Sequence, residues 1–528
     1  MKFDTLIRGA VLVDGLCQTR KADVYLKDGK LAQLGTLENT SAERVIDAQG
    51  KLLCPGFIDI HRHADLVPFS SEPSIEIPQG ITTMVSGNCG FAAVPNHPAS
   101  FEALRAYAQP IMGRIPQELK GLDSAGLFQR VEQRPLALNC GYLAGSGALR
   151  ICAKGFDPSP MSAAEMKKVC DLLDKCLTDG ALGVSFGLLY TPECFYSHEE
   201  LCQIAQVAAS HNKPVIAHIR GEGASVLASI DEMLDIGRRT SAKVHISHLK
   251  AAGKNNWNHT AEEILRRLEA AKAEGLRLSF DAYPYDAGST TLLTLFPPET
   301  LGGGTEGFLK QVQSPERRRY IIEQLRKEQT GWDNLVCATG WQRVMVAGSS
   351  VPEEIGCSIQ KLAEEKGTEP ETLAMDLLLR ENGNLPIVFE HMAQEDVDRV
   401  ICHPDAMVIS DSLYSSDGSP HPRKYGTHAR FLRRYVKETQ RLTLEQAIAK
   451  LTWMPADFLN LSDRGSLRQG NWADLLLLDW EQLCDKATYL NPKQLPQGIE
   501  MVFVNGEIAF EKGVLTGTYA GKLLLQKK

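Results

Sequence analysis

The sequence predicts an α/β fold, a closed TIM-like (β/α)8 barrel carrying a small β-sandwich domain built from both ends of the chain. Three observations carry this reading. From Gly56 onward, short apolar strand-like runs alternate with helix-like stretches for several hundred residues. Before residue 55 and after about residue 460, strand-like segments recur instead. Histidines and one aspartate sit at the ends of several central runs, where a barrel keeps its chemistry.

Residues 1–54 form the N-terminal part of the small β domain: TLIRGAVLVDG, KADVYLKDGKLAQLG and RVIDAQGKLLCPG alternate apolar with polar residues and are punctuated by Gly. Residues 55–460 form the barrel. Its strand-like runs are GFIDIH, ITTMVSG, LALNCGYL, ALGVSFGL, PVIAHI, KVHISHL, RLSFDAYP, PIVFEH and AMVISD, separated by helical patterns such as SAAEMKKVCDLLDKCLTDG and HTAEEILRRLEAAKAEG. This is one run more than eight strands admit, so ITTMVSG or PIVFEH is expected to be an extra piece. Residues from about 287 to 345 read as an insertion, too long for an ordinary connection and able to cover the site. Beyond the helix LTLEQAIAKLTWMPADFLN, residues 461–528 return to β texture in ADLLLLD and EMVFVNGEIAFEKGVLTG and complete the small domain.

The chain has 528 residues, is 43% hydrophobic and carries a net charge of −8, from 57 Lys+Arg and 65 Asp+Glu. That mild balance, without a basic run, argues against nucleic acid or a membrane surface as partner and favours a small molecule. The N-terminus, MKFDTLIRGAVLVDG, is interrupted by Asp4, Arg8 and Asp14 and does not read as a secretion signal, so a cytoplasmic location is expected. The 13 cysteines are odd in number and show no framework spacing; Cys170 and Cys176 share one helical segment. Most are expected to be reduced and structural.

In FIDIHRHAD, His61 and His63 lie two apart at the end of a strand and share one face. Alone, such a pair is more often two buried histidines bonded to backbone. His218 and His248 stand next to last in PVIAHI and KVHISHL, and Asp411 ends AMVISD, so four strand ends offer metal-type ligands to one barrel mouth. Cys89, in TTMVSGNCGF, is flanked by Gly87, Asn88 and Gly90, which permit a tight turn presenting the thiol. His245 faces the other side of its strand and, with His391 in FEHMAQED, reads as packing.

GFIDIHRHAD after a β unit, PQGITTMVSGNCGF, VIAHIR, HISHLK, SDG followed by HPRKYGT, and NWADLLLLD with VNGE together resemble the amidohydrolase superfamily, and within it the N-acyl-D-amino-acid deacylases or D-aminoacylases. The GNCG turn and HPRKYGT are the specific part; His-x-His alone fits hydantoinases and dihydroorotases equally well. The resemblance implies that Cys89, His218 and His248 hold a tight Zn2+, while His61, His63, Cys89 and Asp411 could hold a second, weaker one. ALGVSFGLLY lacks the lysine that many relatives outside this subgroup carboxylate to bridge two metals, consistent with a bridging cysteine.

The resemblance further implies contacts to a substrate carboxylate from Tyr190, Lys250, Tyr283, Ser289 and Arg423, and zinc-dependent hydrolysis of linear N-acyl-D-amino acids with Asp411 as proton carrier. The string SDG formally matches Ser416-Asp417, but Asp411 ends an apolar run whereas Asp417 lies in a Ser/Gly/Pro-rich loop. GLLYTPECFYS lacks the Glu before Tyr associated with the family, which leaves the preferred side chain and acyl group open. A cyclic amide as substrate and a non-catalytic scaffold are the rival readings.

Overall fold

In the computed structural model, which describes residues 2–329, 331–414 and 418–527, eight parallel strands surround one axis. In order they are Phe57–Asp59, Ile81–Ser86, Asn139–Tyr142 continued by Ala144–Gly145, Val184–Gly187, Pro214–His218, Lys243–Ile246, Leu278–Ala282 and Ala406–Val408. The ring closes where Arg62 pairs in parallel with Ser412 and the His63 amide donates to the Ser412 carbonyl at 3.0 Å. Strands covered on both faces need no polar alternation; accordingly every residue of Ile81–Ser86 and Pro214–His218 is buried.

The helix Ala163–Asp179 shows how the outer ring is specified. Ser162 and Glu165 form a reciprocal capping box, Met166, Val169, Leu173, Cys176 and Leu177 supply the buried face, and Gly180 ends the helix in a left-handed conformation. Cys176 is thus core, and all 13 cysteines are free thiols.

Of the two candidate extra pieces, ITTMVSG is the second barrel strand and PIVFEH lies outside the barrel. Pro386–Glu390 pairs antiparallel with Ala287–Thr291 and Val344–Val346, and its Ile387 and Phe389 join Leu292, Phe296, Phe308 and Trp341 in a separate apolar cluster. The excursion between the seventh and eighth strands therefore runs on past residue 345 to Glu390. It carries its own core, so it stands as a packed cover rather than a loose loop.

Strands from both chain ends form one nine-stranded sheet in which Leu52–Pro55 pairs with both Lys2–Val13 and Leu475–Leu478. The tail then leaves this sheet: Leu523–Leu524 pairs with Cys140–Gly141 of the third barrel strand. Among the described residues no helix is long and apolar enough to cross a membrane.

Candidate metal centre and substrate pocket

The strand ends deliver their side chains to one mouth. His61 and His63 follow the first strand, His218 is the last residue of the fifth, and His248 and Asp411 lie just past the sixth and eighth. Cys89 sits in the turn after the second strand. Gly87 and Gly90 adopt φ of +82° and +74° around it, and a Cβ on Gly187 of the fourth strand would lie 2.0 Å from the Cys89 carbonyl oxygen. Only glycine at 187 lets the turn approach so closely. Three of the ligand candidates are themselves left-handed, Cys89 at φ +51°, His248 at +35° and Asp411 at +49°. Each such residue costs about 1–2 kcal/mol, a strain that clusters at functional sites.

Cys89 Sγ lies 3.2 Å from His61 Nε2 and 3.5 Å from His248 Nε2. Asp411 Oδ1 lies 3.5 Å from His61 Nε2 and 3.3 Å from His63 Nε2. The His218 and His248 rings meet at 4.4 Å between centroids. Among the described residues three overlapping donor sets result: His61, Cys89 and His248; His61, His63 and Asp411; and His218, Glu222 and His248. His218 therefore joins the others through His248 and Glu222, and Cys89 is shared between the two sides through His61 and His248.

The donors fit zinc. Burial holds the His218 imidazole well below its ordinary pKa, and among the described residues neither ring nitrogen has a hydrogen-bond partner. A buried neutral imidazole in that state is costly without a partner and is the form that binds metal. Burial also lowers His63 to about 4. It drives the Cys89 thiol well above its ordinary value, a preference that a bound cation reverses. Burial disfavours ionisation of Asp411, yet Arg423, then His63, His61 and His248, outweigh it and keep the carboxyl well below the usual range.

Tyr190, Lys250, Tyr283, Ser289 and Arg423 all line one pocket with His63, His218, His248 and Asp411. Arg423 Nη2 donates to the Ser289 carbonyl at 3.1 Å and Nη1 lies 2.9 Å from Asp411 Oδ2, while Nε makes no hydrogen bond among the described residues. The Arg423 guanidinium stacks over Tyr283 at 4.7 Å, and Ser289 donates its hydroxyl to Ile387 O at 2.8 Å. Lys250 is already engaged: its ammonium forms a short ion pair with Glu222 and lies 2.7 Å from His248 Nδ1. Asp417 lies outside the described residues.

Two carboxylates here escaped the sequence reading. Glu222 faces His248 Nδ1 at 3.1 Å as well as Lys250; its only sequence signal is its position four residues after His218. Asp281, next to last in the seventh strand, accepts from His245 Nε2 at 2.8 Å, receives the His248 amide and faces His61 Nδ1 at 3.6 Å. Such a partner orients a metal-binding imidazole. His245 therefore packs behind the site, against Phe458 and Asp281. His391 bonds the Phe389 carbonyl at 2.6 Å but also lines the pocket.

Residues 409–510 match the model of the amidohydrolase family. The chain is 34% identical over 513 residues to an N-acyl-D-glutamate deacylase of Alcaligenes xylosoxydans xylosoxydans, covering 96% of this chain and 94% of that one. Among solved structures it is similar to N-acyl-D-glutamate deacylase of Bordetella bronchiseptica, complexed with zinc and a phosphonate mimic of the tetrahedral intermediate, with TM-score 0.84, 32% identity and full coverage of both chains. It is also similar to a D-aminoacylase with a binuclear metal centre showing one-metal activation and second-metal attenuation, with TM-score 0.84, 29% identity and coverage of 99% of this chain and 100% of that one.

Proposed function

This chain belongs to the N-acyl-D-amino-acid deacylases, or D-aminoacylases, of the amidohydrolase family, and from that premise we propose how its own residues divide the work. The reaction is zinc-dependent hydrolysis of the amide bond of a linear N-acyl-D-amino acid, giving a carboxylate and a free D-amino acid. Cys89, His218 and His248 would hold one zinc tightly, and His61, His63, Cys89 and Asp411 a second more weakly. Zinc in such a site lowers the pKa of water to about 7 and polarises a carbonyl.

Asp411 carries the proton. Its carboxylate is kept ionised beside Arg423, so it can take a proton from the attacking water and return it to the departing nitrogen. Arg423 receives the substrate's α-carboxylate through the donors it does not spend on protein, because its planar fork suits a carboxylate. Tyr283 under that guanidinium, Ser289 and Tyr190 shape the remaining walls. Lys250 adds positive charge, although its contact with Glu222 makes it a weaker carboxylate ligand than Arg423. Two fixed points, the carboxylate at Arg423 and the amide at the histidines, set the configuration accepted at the α-carbon.

The observation that carries this reading is the joining of Asp411 to both His61 and His63 on one side and to Arg423 on the other. A side-by-side assay of N-acetyl-D-amino acids, their L forms and hydantoins tests it. Hydrolysis confined to D forms is expected; preferential opening of hydantoins would replace it with a cyclic-amide hydrolase.

A further inference from the structure

A cavity of about 510 Å³ lies beside the metal pocket and shares Leu189, Tyr190 and Thr294 with it as common wall. An aromatic run leads from one to the other. His63 meets Phe91 edge-on at 5.9 Å, Phe91 stacks on Tyr107 at 4.5 Å, and Tyr107 meets Phe156 at 5.9 Å. Tyr190 sits between Phe91 and His218, at 4.9 and 5.0 Å. Leu293 and Phe296, from the excursion before the eighth strand, also line the cavity.

The charged groups at the cavity wall are already engaged by other groups of the protein. Arg220 engages Glu232 through Nε at 3.0 Å and Nη2 at 2.9 Å, and donates to the carbonyls of Cys194 and Tyr196 at 2.8 and 3.0 Å. His198 pairs with Asp235 at 2.7 Å, and Asp333 accepts from the Gly223 and Ser225 amides at 2.6 and 2.9 Å. A space of this size lined by aromatic and aliphatic groups accepts an apolar ligand, and these engaged charges offer little to an acidic side chain.

We propose that this cavity receives the acyl group, so that the preferred substrates are N-acyl-D-amino acids with a medium- to long-chain aliphatic acyl group. The inference rests on the deacylase reading above. The cations of the metal pocket, Arg423 and Lys250, do not line the cavity. In a linear amide the acyl group leaves the carbonyl on the side away from the amino acid. With the carboxylate at Arg423 and the amide at the histidines, the acyl chain passes Tyr190 and enters the aromatic run.

The test is kcat/KM of the zinc-loaded enzyme on acetyl, butanoyl, octanoyl and decanoyl derivatives of D-Leu, D-Phe, D-Glu and D-Asp. A buried methylene contributes at most about fourfold in binding, so a rise of at least tenfold from acetyl to octanoyl is expected, mainly as a lower KM. Ala106→Trp and Ala228→Trp place bulk in the cavity from the helices Phe101–Met112 and Val226–Thr240. Each should abolish that gain and leave acetyl turnover unchanged. Equal or slower cleavage of long acyl groups, with acetyl derivatives hydrolysed, overturns the inference and leaves the deacylase reading intact. So does a gain that follows the amino-acid side chain at fixed acetyl and is lost in the same variants. No hydrolysis of any derivative overturns both.

Discussion

Arg423 Nη1 lies 2.9 Å from Asp411 Oδ2, with both side chains almost wholly removed from solvent. A buried carboxylate would otherwise take up a proton; the guanidinium is what keeps this one available as a base at the barrel mouth. Asp411→Asn keeps the shape and abolishes the base. A drop in kcat of about 10²–10⁴ is expected, with zinc content by elemental analysis retained at the tight position. Asp417→Asn should retain wild-type turnover, and the opposite pattern would transfer the proton-carrying role to Asp417.

Cys89 is the donor shared by the two halves of the centre, being close to both His61 and His248. Cys89→Ala is therefore expected to lose tightly bound zinc and activity together. Chelation should lower the Tm of the zinc-loaded wild type, since a ligand bound only by the folded state stabilises it, and should leave the Tm of the variant unmoved. Zinc content and turnover that survive the substitution would remove Cys89 from the ligand set.

Asp281 touches His61, His245 and the His248 backbone from behind the strands. Its loss should loosen metal binding without touching substrate. Asp281→Asn is expected to weaken zinc affinity about 10–100-fold, measured by competition with a chromophoric chelator, with activity recovered at high zinc. An unchanged affinity would make Asp281 a packing residue only.

Glu193 lies fully buried beneath the Cys89 turn, accepting from the Gly187 amide at 2.9 Å and from Ser146. Burial outweighs these bonds and pushes its carboxyl from 4.5 up to about 7. Between pH 4.5 and 7 the folded chain then holds a proton that the unfolded chain releases, so stability falls as pH rises across that window. The loss is on the order of 3 kcal/mol above pH 7. Glu193→Gln should flatten this slope, gaining Tm relative to wild type from pH 4.5 to pH 8. Parallel Tm profiles for the two proteins would show that the carboxyl ionises elsewhere than in this window.

The barrel and its mouth were largely legible because strands and helices write their periodicity locally. His61 and His63 stand two apart just past the apolar run FID, and PVIAHI, KVHISHL and AMVISD each carry a ligand type last or next to last, whatever the rest of the chain does. PIVFEH was ambiguous for the same reason. An apolar run of that length suits a barrel strand or a sheet in the excursion equally, and only its pairing with Ala287–Thr291 decides.

By itself the sequence determined the alternation of elements, the ends on which the candidate ligands stand, and the GNCG turn that presents Cys89. The tertiary structure alone decided which ends meet. It put Glu222 on Lys250 and His248, Asp281 behind His61, Asp411 against Arg423, and an aromatic cavity beside Tyr190. The physical reason is that a strand's pattern fixes which face a side chain takes, whereas charge pairing and cavity volume depend on distances across the closed ring. Those distances exist only once the eighth strand has returned to the first.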